Sequence, residues 1–116
     1  MSNAIIMAWN RAVPGREKQA MELFQSSLAY WTKKQEAGAI ESFEPVIGTL
    51  HGGDMNGFFL IKGEPAKLDA LQHEKDYIDL ILQIGLALDG FGAIRAFHGS
   101  ALQDIMQSWG GHIQQY

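Results

Sequence analysis

Four side chains in this sequence stand where they could do chemistry. Trp9 and Asn10 close the apolar run "AIIMAWN", while Arg95 and His98 interrupt a second such run, "FGAIRAFHGS". Asn10, Arg95 and His98 are the polar groups that an enzyme could turn toward an apolar pocket. Arg95 would anchor an anion, and His98 would move a proton near neutral pH. Trp9 would offer a ligand an aromatic wall. Each has a plainer role. Asn10 is suited to bond the backbone that enters the Pro14-Gly15 turn. Arg95 is suited to pair with a carboxylate of its own chain or of a partner copy. His98, beside Gly99 at a strand end, is suited to a structural or solvated position. Side chains alternate along a strand, so Arg95 and His98 lie on opposite faces and form no common constellation.

Other chemistry is poorly supplied. His51 opens "HGGD", with Asp54 three residues on, but two residues on a flexible turn do not make a metal site. "HGG" is like the oxyanion loops of hydrolases, yet no G-x-S-x-G is present to carry a nucleophile. His73, Glu74 and Asp76 read as a solvated face, and His112 falls in a tail. The four histidines show no zinc spacing, and the absence of cysteine removes disulfides, thiolate ligands and a thiol nucleophile. Gly85, Gly90 and Gly92 do not stand at a strand-to-helix turn, so they form no dinucleotide fingerprint. Trp31, Trp109 and Tyr30 sit at spacings that suit a core.

The elements that must position these residues follow from periodicity. A buried strand is expected from Ala4 to Val13, ended by Pro14-Gly15. Ala20, Met21, Phe24, Leu28 and Trp31 then recur every three or four residues, which predicts a helix over 16–37 stopped by Gly38. "AIESFEPVIGTL" alternates as a strand, and Pro45, lacking an N–H, places it at a sheet edge or bulge. "HGGDMNG" is a hairpin connection into the strand "FFLIK". Pro65 suits the first turn of a helix running to about Leu88, interrupted at "QHEKD". After Asp89-Gly90 comes the fourth strand. Ser100 and Gln103 offer a capping box for a last helix, which Gly110-Gly111 should break.

The order β-α-β-β-α-β with an added C-terminal helix predicts an α+β fold. It is the ferredoxin-like sheet, with strands one and three central and two helices on one face. That leaves a difficulty. Ile5, Met7 and Trp9 oppose Ile6 and Ala8, and Phe58 and Leu60 oppose Phe59 and Ile61, so the strands are apolar on both faces. A face without helical cover would be a larger apolar patch than monomers expose. A second copy is the expected cover, giving a homodimer, and a C-terminal helix folded over that face is the alternative.

With these features the chain resembles the dimeric α+β barrel superfamily. The likeness runs from "AIIMAWNRAVPGREKQAMELF" through "AFHG", and rests on element order and the "NR…PG" step into the first helix. It implies two sheets pairing as a barrel. Members include cofactor-free antibiotic-biosynthesis monooxygenases, haem-degrading enzymes and haem-handling proteins. The haem-degrading members use an Asn, a Trp and a His. Asn10 matches the first, but the other two positions fall near Ala70 or Leu71 and near Leu80 or Ile81.

Composition bounds the rest. The 116 residues fit one domain, and 47% hydrophobic with 19% charged residues is a globular balance. A net charge of −4 with nine scattered Lys and Arg disfavours nucleic acid. The longest apolar run, "LILQIGLAL", is too short for a membrane span, and the start lacks a signal-peptide pattern, so a cytoplasmic protein is expected. The reading is a homodimer with a cleft for a small apolar or aromatic ligand, lined by Trp9, Asn10, Arg95 and His98, with no cofactor or metal. The alternative is a cofactor-independent monooxygenase or isomerase acting on an aromatic or polyketide-like substrate.

Overall fold

In the computed structural model, which describes residues 1–115, the strand periodicity produces one four-stranded antiparallel sheet. The elements run β1 (Ala4–Trp9), β2 (Arg11–Ala12), α1 (Glu17–Glu36), β3 (Ser42–Ile47), β4 (Gly57–Lys62), α2 (Pro65–Gln72), α3 (Lys75–Ala87), β5 (Leu88–Asp89), β6 (Gly92–Ala96) and α4 (Gly99–Gln114). The sheet order is β3-β4-β1-β6, so the two most apolar strands are central. Ile5 stands between Ile61 and Arg95, and Met7 between Phe59 and Ala93. β3 is an edge, which is where Pro45 is tolerated.

Odd-numbered side chains of β1 and β4 face the helices. Ile5, Met7, Phe59 and Ile61 form a buried cluster with Trp31 of α1, Leu68 and Leu71 of α2, and Tyr77, Leu80 and Ile84 of α3. Each such aliphatic side chain stabilises the fold by about 1.5–3 kcal/mol on burial. The even-numbered residues Ile6, Ala8, Phe58, Leu60 and Ile94 lie on the other face and take no part in that cluster. Ile94 is 61% exposed.

Several boundaries differ from the periodicity. The first strand breaks at Asn10, whose N–H donates to the Asp89 carbonyl at 2.9 Å. The chain thus leaves the main sheet, and β2 pairs with β5 in a separate two-stranded ladder. The helical interruption falls at His73-Glu74, between α2 and α3. Gly38 ends α1 with φ +77°, the left-handed value that favours glycine.

At the last helix two expectations fail. Gly110 and Gly111 do not break α4, which continues to Gln114. Neither glycine has a positive φ, so each lowers helix propensity without turning the chain. The Ser100–Gln103 capping box does not form: the cap is His98, and its own side chain makes no capping bond. Instead the Asn3 carboxamide brackets His98. Its Oδ1 accepts the His98 N–H at 3.0 Å and its Nδ2 donates to the His98 carbonyl at 3.1 Å.

α4 does not roof the open sheet face. Every residue from Leu102 to Trp109 is exposed. The radius of gyration is 16.0 Å, where a compact chain of this length has about 13 Å. No helix among the described residues is long and apolar enough to cross a membrane.

Candidate functional site

At the end of the sheet where β1 stops, the core opens into a cavity of about 300 Å³. Its back wall is built from Trp9 of β1, Phe24 of α1 and Phe59 of β4. The Trp9 ring meets Phe24 and Phe59 edge-to-face with centroids 6.2 and 5.7 Å apart, and Phe24 meets Phe59 at 5.4 Å. The indole can lie there only because its cross-strand partner is Gly57. A Cβ on Gly57 would stand 2.6 Å from Trp9 Cζ2, inside any real carbon–carbon contact. α3 and the segment after it contribute Ile84, Leu88 and Phe91, while Met21 and Ile47, both about two-thirds exposed, stand among the lining residues.

Among the described lining residues, Ser27 carries the one hydroxyl, and the Trp9 indole N–H is the other polar side-chain group. Ser27 is buried, and its hydroxyl donates to the Leu23 carbonyl one turn back at 2.7 Å. That bond uses the hydroxyl's proton and leaves its oxygen able to accept. No described lining residue is ionisable. A space of this kind gains its binding energy from apolar burial and shape, with a single acceptor to orient a ligand.

The four residues singled out by the sequence separate into two places. Trp9 and Asn10 are together at the cavity end. Arg95 and His98 are at the other end of β6, with Arg95 paired to Ile5, about four strand residues or ~13 Å away. Trp9 is a cavity wall. Asn10 is next to the cavity but outside its lining, and its Oδ1 accepts from Asn56 Nδ2 at 2.8 Å. The Asn56 N–H in turn donates to the Trp9 carbonyl at 3.0 Å. Asn10 thus ties β1 to the connection before β4, rather than to the Pro14-Gly15 turn.

Arg95 faces the helices and pairs with Asp69 of its own chain. It also donates to Gln72 Oε1 at 3.1 Å and to the Ser2 carbonyl at 2.8 Å. The guanidinium therefore clamps α2 and the N-terminal segment onto the edge of the sheet. His98 is half-buried, and its backbone is held by Asn3 while its ring bonds no described residue.

The other candidates are also engaged locally. His51 accepts the Gly53 N–H on Nδ1 at 3.0 Å, which puts the ring proton on Nε2, 3.1 Å from the Met55 carbonyl. It staples its own turn. Lys34 lies 2.8 Å from Glu74 and 3.1 Å from Asp76 and joins α1 to the start of α3. The Glu74 bond raises the Lys34 pKa. For Asp76, partial burial pushes upward but the Lys34 ammonium outweighs it, and the pKa is lowered. Burial, with the Asp76 and Glu74 charges nearby, raises Tyr30. Among the described residues no three His, Asp or Glu are grouped to hold a metal ion.

Sequence reasoning missed Ser27, Ile84, Leu88 and Phe91 as lining residues. Beyond Trp9, the polar Ser27 on the apolar stripe between Phe24 and Trp31 is a signal that could have found the site. No family model matches this chain, and no curated protein matches it.

Proposed function

We propose that this protein binds a small, neutral, mostly apolar or aromatic molecule in the cavity between β1, α1 and α3. One observation carries the reading: a space of about 300 Å³ walled by four aromatic side chains, whose described lining holds a single buried hydroxyl and no ionisable group. A charged ligand would lose its hydration there without a partner. A neutral ligand carrying one hydroxyl or N–H would donate a hydrogen bond to Ser27 Oγ and bury the remainder. The lining provides no acid or base, so binding is favoured over turnover. The sheet order and its two helical crossovers support a ferredoxin-like fold, and the uncovered apolar sheet face supports a homodimer in which two sheets pair as a barrel.

Thermal unfolding with 1-naphthol, indole and benzoate as probes tests the binding reading. A neutral probe at one hundred times its Kd adds about 2.7 kcal/mol, raising the midpoint by roughly 10 °C. Benzoate should do much less. Ala20→Phe, which places a ring in the cavity, should weaken naphthol binding at least tenfold. No shift with any neutral probe, or a shift that Ala20→Phe leaves unchanged, would overturn the proposal.

A further inference from the structure

α4 carries an apolar stripe that the described residues leave largely exposed. Leu102, Ile105, Met106, Trp109 and Ile113 fall within about 100° of one helical face, the width of a core-facing stripe. Their exposures are 45, 39, 49, 58 and 58%. Taking about 200 Å² for a fully exposed large side chain, the stripe leaves roughly 500 Å² open. That alone is toward the upper end of the roughly 300–600 Å² that the largest patch on a monomer reaches, a size often tied to function. Among the described residues the helix is anchored at its first turn, where Ala101 is buried and Asn3 holds His98.

We infer that α4 is an arm seated on a second copy of this chain, its Leu102–Ile113 stripe buried against the partner beside the paired sheets. The inference rests on the homodimer reading and adds the arm to it. Three observations favour this occupant. First, a stable interface needs about 800 Å² from each partner. The stripe supplies more than half, and the open sheet face with Ile6, Phe58, Leu60 and Ile94 supplies the remainder. Second, both unsatisfied surfaces belong to one chain, so one twofold axis can bury the two together. Third, the polar side of α4 holds Gln103, Asp104, Gln107 and His112 but no Lys or Arg. A helix made to lie on an anionic membrane carries basic residues there.

Light scattering across a dilution series, on the full chain, tests this. Wild type should have twice the 12.9 kDa chain mass, and Ile105→Glu with Trp109→Glu should raise the dimer dissociation constant about 100-fold or more. Gln107→Glu, on the polar side, should leave it unchanged. Far-UV circular dichroism checks folding, and Trp109→Ala, which removes the largest contact without adding charge, repeats the comparison should the double variant misfold. A wild-type dimer that the stripe variants leave equally tight overturns the arm but not the dimer. A wild-type monomer overturns both. Cosedimentation with anionic vesicles in place of self-association also overturns the arm.

Discussion

Gly57→Ala should destabilise the protein through one contact, and removing that contact should reverse the sign. The new Cβ would lie 2.6 Å from Trp9 Cζ2, 2.8 Å from Cε2 and 3.1 Å from Nε1. Any shift of the indole disturbs its edge-to-face packing on Phe24 and Phe59. Forcing a methyl into such a packed position costs about 1–3 kcal/mol. Against this, alanine in a strand is favoured over glycine by about 0.5–1 kcal/mol. The net expectation is a loss of about 1–2 kcal/mol. In a Trp9→Leu background the obstructing ring atoms are gone, and the same substitution should be neutral or stabilising. Urea unfolding followed by far-UV circular dichroism, free of the tryptophan signal, measures all four corners of the cycle. The coupling between the two positions should exceed 1 kcal/mol. Equal cost of Gly57→Ala in both backgrounds would refute the claim that Gly57 exists to seat the indole. Displacing the ring should also change 1-naphthol affinity, since the same ring is a cavity wall.

Arg95→Met should lower stability by about 2–3 kcal/mol in urea titrations, because Asp69, Gln72 and the Ser2 carbonyl all lose a charged donor. It should leave naphthol affinity unchanged, as the cavity is at the other end of the sheet. Asn10→Ala should cost about 1 kcal/mol by unpinning Asn56, again with little effect on affinity. Lys34→Met should cost about 1 kcal/mol or less near neutrality. Its difference from wild type should be full above the ordinary Asp76 value of 3.8 and close as pH falls through the lowered one. On the alkaline side it should persist up to the ordinary Lys34 value of 10.5 and disappear as pH rises through the raised one. Urea midpoints across pH check both limbs.

Most elements were legible because period and punctuation agree. The apolar spacing of α1, the stop at Gly38, the edge-strand Pro45 and the break in "QHEKD" each carry a local physical cause, and each element lies where that cause puts it. The misses are tertiary. Asn10 continues an extended run by pattern, but a bond to Asp89 takes its N–H out of the main ladder. Ser100 and Gln103 have the composition of a capping box, but Asn3, 95 residues away along the chain, fixes the strand-to-helix junction first. No window on the sequence contains that competitor.

The candidate site was legible only through Trp9, for a reason that reaches beyond this protein. Searching a sequence for function favours polar residues that interrupt apolar runs, here Asn10, Arg95 and His98. In a small domain those interruptions are also where strands end and helices are clamped, so the fold has its own use for them. Arg95 holds α2, Asn10 holds the β3–β4 connection, and the His98 backbone is where Asn3 fixes the start of α4. The cavity is defined instead by apolar residues that fail to fill the space between three elements, and a sequence marks no residue as failing to touch another. Gly57 and Ser27 come nearest to a visible trace. One is a glycine inside an apolar strand and the other a serine inside an apolar helical stripe, both small where a core would take a large side chain. Ser27 lines the cavity and Gly57 seats the Trp9 ring that walls it, so it is shortage of bulk, rather than any surplus of polarity, that shapes this space.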